Sequence, residues 1–213
     1  MEFILDAMEI RVLGSLIEKE LATPEYYPLS LNALTNACNQ KSNREPVVEY
    51  DEDSVASAAA RLIEKELVWE IGVSRVPKYE ERFTHERSLV PSESAALCVL
   101  LLRGPQTLGE IRGRTARLHN FEDLEAVQAA LGNLVEWGYA RQLPRMPGHK
   151  ECRYRHLLGG EPEVPAEPLD PEPPDLPQIE TTRIEKIEAV LERMQKEIED
   201  LKTAFATFKK QFD

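Results

Sequence analysis

Residues 61–85 read "RLIEKELVWEIGVSRVPKYEERFTH", and the hydrophobic period changes inside them. Up to Leu67, Val55, Ala58, Ala59, Leu62 and Ile63 recur at three- and four-residue intervals, which places them on one face of a helix. After it, "LVWEIGV" and "YEERFTH" are rich in branched and aromatic residues and flank "SRVPK". That pattern predicts two strands around a turn. The upstream residues complete the unit. Asp6, with Glu9 three residues on, forms a capping box, and Ile10, Leu13, Ile17 and Leu21 continue at helical spacing. Two prolines in "TPEYYP" end that helix. Ser30 caps a second, "LNALTNAC", with Leu31, Leu34 and Cys38 on one side, and a third starts near Asp51 or Ser54. Three helices followed by a hairpin is the element order of a winged helix.

The order recurs downstream. "SESAALCVLLLRG" is a first helix, "QTLGEIRGRT" a short second, and "DLEAVQAALGNLVEWG" a third with Leu124, Val127, Leu131 and Leu134 on one stripe. "YARQLPR" and "ECRYRHL" are strands around "MPGHK". Leu31 and Leu34 align with Leu108 and Ile111, and Val55 and Leu62 with Val127 and Leu134. Self-similarity of this kind marks two copies of one module. The expected fold is α+β and mainly helical: winged-helix domains over 1–88 and 89–158, a Pro/acid-rich linker over 159–178, and a coiled-coil helix over 179–213.

The linker, "GGEPEVPAEPLDPEPPDLPQ", has almost nothing to bury, and its prolines favour an extended chain of about 3.1 Å per residue, roughly 60 Å in all. In the tail, Ile184, Ile187, Leu191, Met194, Ile198, Leu201, Phe205, Phe208 and Phe212 alternate three and four residues apart. This is a heptad seam, which one helix cannot bury alone. With Ile184 at position a, Arg183 faces Glu188 and Glu197 faces Lys202 of a parallel partner, both attractive. A parallel homodimer is the expectation; the alternative is a tail folded back on its own modules.

Charge narrows the partners. The chain carries a formal −12, which argues against a surface coated for nucleic acid or anionic membrane. Residues 1–88 hold 10 Lys+Arg against 17 Asp+Glu, a net of −7; residues 89–158 hold 9 against 7, a net of +2; residues 159–213 hold 7 against 14, again −7. An anionic partner is therefore sought in the middle. Cys38, Cys98 and Cys152 are odd in number and far apart, so no disulfide framework is expected. With no long apolar run and no signal-like start, the expected setting is cytoplasmic.

Three stretches carry a resemblance: "YPLSLNALTNACNQKSNREPV" (27–47), "SRVPKYEERF" (74–83) and "LPRMPGHKECRYRHLL" (143–158). They resemble signature segments of the YceH-like family of uncharacterised bacterial proteins, over nearly all of residues 7–160. The resemblance implies a tandem winged-helix fold, and it brings no activity, ligand or catalytic residue with it. At His149–Lys150 the sequence departs from the more Arg- or Gln-like stretch expected there.

The candidate chemistry divides into what is excluded and what is sought. His149, Cys152 and His156 match no zinc spacing, and on a strand His149 lies off the face that Cys152 and His156 share, so neither metal nor cofactor is expected. There is no G-x-S-x-G and no phosphate-cradling glycine loop. Glu80 and Glu81 are adjacent on a strand and point to opposite faces, which is wrong for paired acid–base work. No catalytic residue is assigned and the chain is read as a non-enzyme. Winged helices usually bind duplex DNA through their third helix, yet here "DEDSVASAAARLIEKE" opens on three acids and Glu122, Asp123 and Glu125 open the other. The contact surface is therefore sought in Asn39, Gln40, Lys41, Asn43 and Arg44, in Arg112, Arg114 and Arg117, and in the wing residues Arg145 and Lys150, with Arg75 and Lys78 in the first wing. The alternative for "NQKSNR" is that its amides cap helix ends and tie down the connection. The alternative function is an acidic scaffold for another protein.

Overall fold

Asp6 starts α1 (Ala7–Ala22) by accepting the Met8 and Glu9 amides at 2.9 and 2.8 Å, while the Glu9 carboxylate accepts the Asp6 amide at 2.8 Å. The capping box read from the sequence is thus in place. The computed structural model describes residues 3–72, 76–145 and 151–160. β1 (Leu29–Ser30) leads straight into α2 (Leu31–Cys38), capped by the Ser30 hydroxyl. Of the two caps open for α3 (Glu52–Glu64), Asp51 is the one used, accepting the Ser54 amide at 2.7 Å. β2 (Val68–Ile71) and β3 (Lys78–Glu81) pair antiparallel, and β1 lies on the other edge of β3, giving the order β1-β3-β2.

The strand expected through His85 stops at Glu81. Its buried carboxylate accepts the Thr84 amide at 2.9 Å, together with the Thr84 hydroxyl, and turns the chain into a one-turn helix, α4 (Phe83–Glu86). Then α5 (Pro91–Arg103), α6 (Leu108–Thr115) and α7 (Leu124–Glu136) precede the antiparallel pair β4 (Ala140–Gln142) and β5 (Tyr154–His156). These strands are shorter than "YARQLPR" and "ECRYRHL" predict. Immediately before α6, Gln106 bridges Tyr154 through backbone bonds of 2.9 and 2.7 Å. The short strand before α2 makes the same kind of pairing in the first half, a feature the sequence did not announce. The fold is α+β, helix-rich with two small sheets.

Both halves share one apolar core. Leu13, Leu16, Ile17, Leu34, Val55, Leu62 and Phe83 belong to the same buried cluster as Leu97, Leu100, Ile111, Leu131 and Leu134. α1 and α5 are its spine: Glu9 and residues 11–18 of one and residues 93–102 of the other are buried almost without interruption, as befits helices covered on several sides. Gly14 lets them approach. A Cβ there would stand 2.9 Å from Leu102 Cδ2 and 3.1 Å from Leu101 Cβ. Phe83 meets Phe3 and Tyr139 edge-on at 6.4 and 5.2 Å, with the Arg87 guanidinium over its ring, so α4 joins the first half to the start of the second hairpin.

Candidate anion-binding site

The connection between α2 and α3 is held from inside. Asn39 and Tyr50 exchange two bonds, Nδ2 to the Tyr50 carbonyl at 2.7 Å and the Tyr50 amide to Oδ1 at 2.8 Å. Arg44 is buried; it donates to both oxygens of Glu18 at 3.0 and 2.6 Å and twice to the Ala37 carbonyl at 3.1 and 2.8 Å. Arg11 donates to the Cys38 and Pro46 carbonyls at 3.1 and 2.6 Å. The Glu45 amide reaches the Leu102 carbonyl at 2.9 Å, pinning the connection to the end of α5. Asn39 and Arg44, sought as ligand contacts, therefore have their polar groups turned to the scaffold. Between them Lys41, Ser42 and Asn43 stay exposed and Gln40 half-buried; Asn43 takes a left-handed φ of 61°, which asparagine tolerates.

Residues 40–43 line a cleft of about 1120 Å³. Its other walls are the last turns of α1 with Lys19, the end of α5 with Val99, Leu102 and Arg103, and α6 and its exit with Arg114, Arg117 and Leu118. The fold thus brings together Gln40, Lys41, Asn43, Arg114 and Arg117 from two distant stretches of chain. Among the described lining residues, Lys19, Lys41, Arg103, Arg114 and Arg117 face a single acid, Glu18, which Arg44 already engages. Burial, then the neighbouring Arg114 charge, push the pKa of the Arg103 guanidinium down, and it donates to Asn43 Oδ1. Arg114 Nη2 has Glu110 at 3.7 Å, while its Nη1 is shut from solvent with no acceptor. Cys98 also touches the cleft, but burial pushes its thiol pKa well up and its Sγ donates to the Gly14 carbonyl at 3.5 Å, so it is no nucleophile.

Other expected residues lie elsewhere. Arg112 donates to the Phe121 carbonyl at 3.4 Å and to that of Glu122, bracing the α6–α7 loop. Arg145 is exposed and outside the cleft lining. Arg75 and Lys150 fall outside the described residues, as does the whole heptad seam, Ile184, Ile187, Leu191, Met194, Ile198, Leu201, Phe205, Phe208 and Phe212. Lys19 and Arg103 were not singled out, and no local signal could have done so: each lies in the last turn of a helix, where a cation is ordinary. Neither third helix offers an unpaired cation. Arg61 of α3 holds Asp6 and Glu9 at 2.8 and 3.2 Å, and α7 contains no Lys or Arg.

The chain matches, over residues 5–149, the family model described as "Protein of unknown function, DUF480". It belongs to that family. Relatives carry the name UPF0502 protein. The one from Solibacter usitatus (strain Ellin6076) is 50% identical over the full length of both chains. That of Geobacter sulfurreducens is 53% identical over 78% of each, and that of Azoarcus sp. (strain BH72) is 44% identical over 99% of this chain and 95% of its own. The resemblance carried by the three signature stretches is to this same group of uncharacterised bacterial proteins.

Elsewhere in this DUF480 chain, one group among the described residues could hold a metal ion: Glu20, Glu81 and His85, whose ligand atoms lie within 4.8 Å of one another. They already satisfy one another. His85 Nε2 lies 2.7 Å from Glu20 Oε1, and both Glu81 oxygens accept from Thr84. Burial, with the Glu20 charge adding to it, pushes the Glu81 carboxyl up to about 7. No helix among the described residues is long and apolar enough to cross a membrane.

Proposed function

We propose that the chain is a non-enzymatic, cytoplasmic tandem winged-helix protein that binds nucleic acid, laying a stretch of sugar-phosphate backbone in the cleft between its two modules. The observation that carries this reading is the convergence of Lys19, Lys41, Arg103, Arg114 and Arg117 in one cleft of a protein whose formal charge is −12. Five cations gathered from four separate stretches of chain are not the by-product of a basic surface. The winged-helix reading is supported by the twice-repeated order of three helices and a hairpin, each with a short strand segment beside the hairpin's second strand. Docking departs from the usual mode. Both third helices begin in acids and offer no free cation, so Coulomb repulsion opposes major-groove entry there. The half-buried Gln40 and the exposed Lys41 and Ser42 at the mouth meet the backbone instead.

The test is fluorescence anisotropy with labelled duplex and single-stranded oligonucleotides across a salt series. If three or four phosphates are neutralised, the log–log salt slope on duplex is expected at about −2.7 to −3.6, and roughly 0.9 shallower for each cation removed. Lys41→Glu with Arg117→Glu should abolish binding, whereas Arg145→Ala should not. No salt-sensitive binding even at low salt would end the proposal.

A second reading has its own support. At the ends of α7 and just after it, Leu124, expected on the inward stripe, Val135 and Trp137 are exposed, and the helix carries no cation, which suits a protein partner better than a polyanion. A scaffold of this kind would be recovered with a defined protein after nuclease treatment.

A further inference from the structure

The cleft is built for a narrower ligand than any nucleic acid in general. Its lining is of two kinds. Lys41, Arg103, Arg114 and Arg117 supply positive charge, and half-buried Leu118, with the almost buried Val99 and Leu102 behind the wall, supplies apolar surface. At about 1120 Å³ it is far larger than a single phosphate or sulfate requires and is of the size that encloses a drug-sized or nucleotide-sized molecule. It is also concave, so a duplex roughly two nanometres across could touch its mouth but not fill it.

The polar groups are poised for phosphate. Guanidinium groups bind phosphate through paired donors, and they do so best where water is partly excluded. Arg114 is half-buried on the cleft wall, and among the described residues its charge is answered by Glu110, 3.7 Å from Nη2. Burial and then the neighbouring Arg114 charge press on the Arg103 guanidinium, a cost that an anion in the cleft would offset. Like charges so close oppose folding and favour an anionic ligand, the usual signature of a binding site. Glu18, the acid that would repel the ligand, is held by Arg44 at 2.6 and 3.0 Å. Gln40 and Ser42 stand at the mouth with polar side chains to offer a sugar or base.

We infer that this cleft binds a nucleoside polyphosphate, with its adjacent phosphates on Lys41, Arg103, Arg114 and Arg117 and its sugar or base against Leu118. The inference rests on the reading of the cleft as an anion site and deepens it: the nucleotide would compete with nucleic acid for the same cations and so control that binding.

The experiment is isothermal titration of the full chain with ATP, GTP, pyrophosphate, inorganic phosphate and the unphosphorylated nucleosides at low salt, with Arg114→Ala, Arg117→Ala and Arg145→Ala variants alongside. Circular dichroism confirms that each variant is folded. The expected result is saturable binding of at least one nucleoside triphosphate, at least about tenfold tighter than pyrophosphate. Binding should fall at least tenfold in Arg114→Ala and Arg117→Ala and less than twofold in Arg145→Ala. Equal affinity for nucleotide, pyrophosphate and phosphate would overturn the inference, leaving a generic anion patch. Absence of nucleotide binding, with oligonucleotide binding kept and then lost in the charge-reversed variants, would overturn it while leaving the nucleic-acid reading intact. Nucleotide binding without any oligonucleotide binding would support it and remove that reading instead.

Discussion

Arg44 and Glu81 show how much the surroundings of a charge decide its use. Arg44 lies in a polar, exposed-looking stretch, yet its guanidinium is buried on Glu18, and the pair leaves the neighbouring cleft positive. Removing one member of such a pair leaves the other as an uncompensated buried charge, which costs more than the pair itself contributes. Glu81 is a buried carboxyl whose basic neighbour among the described residues is His85, at 3.9 Å. Burial raises it to about 7 in the fold, against an ordinary 4.5. A raised acid binds its proton more tightly folded than unfolded, so the stability it contributes is complete below about pH 4.5 and is lost as pH rises through 7. His85, raised chiefly by its bond to Glu20, works in the same direction, fully stabilising below its ordinary 6.5 and losing that contribution at higher pH. His156 works the other way: burial holds it down to about 4, and stability is lost as pH falls from 6.5 toward 4. Glu81→Gln keeps an acceptor for Thr84 and removes the ionisation. It is expected to stabilise the protein at pH 8 by about 2–3 kcal/mol and to change little at pH 5. Urea denaturation at both values checks this; equal effects at the two pH values would mean that Glu81 is not the titrating group.

Helices and strands were legible in proportion to how local their causes are. The Asp6–Glu9 capping box, the Ser30 cap and the apolar stripe of α3 are written within a few residues of the structure they produce, and each is found where the pattern puts it. α4 was misread as strand because Tyr79, Phe83 and Thr84 favour extended backbone, while the turn depends on a buried Glu81 capping Thr84, which only tertiary burial creates. The cleft was legible in part: Lys41, Arg114 and Arg117 are conspicuous as cations, but that they meet, and that Lys19 and Arg103 join them, follows from the packing of α1 on α5. That packing hinges on Gly14. Gly14→Val forces a branched side chain into Leu101 and Leu102 and is expected to cost about 1–3 kcal/mol or more, with the cleft distorted as well. Gly132→Ala on α7 meets nothing within 4 Å and is expected to stabilise by up to about 1 kcal/mol through helix propensity. Thermal melts of the two variants should move in opposite directions; a neutral Gly14→Val would show that the two helices do not meet as closely as the fold requires.

Across the whole chain, the −7 of residues 159–213 and the heptad seam pull toward different partners, and this sets what the tail can do. An acidic tail repels nucleic acid, so under the proposed reading any contribution it makes to binding would come through pairing rather than contact. If the proposed parallel coil forms, two modest cation clefts would act at a raised effective concentration, with avidity gains of order 10²–10⁴ when both ends of the target can be reached. The tether of 159–178, roughly 60 Å if extended, is long enough for such reach. Removing residues 161–213 is therefore expected to convert a dimer into a monomer in sedimentation equilibrium and to weaken binding of a long oligonucleotide far more than that of a short one. Direction can be tested on the same protein. In a parallel pair the two copies of Ile184 face each other, so Ile184→Cys, with Cys152→Ser to silence the half-exposed native thiol, should cross-link on mild oxidation. A full-length chain that sediments as a monomer at micromolar concentration would leave the seam to fold back on its own modules, and the two clefts would then act singly, with only the affinity that Lys41, Arg103, Arg114 and Arg117 provide.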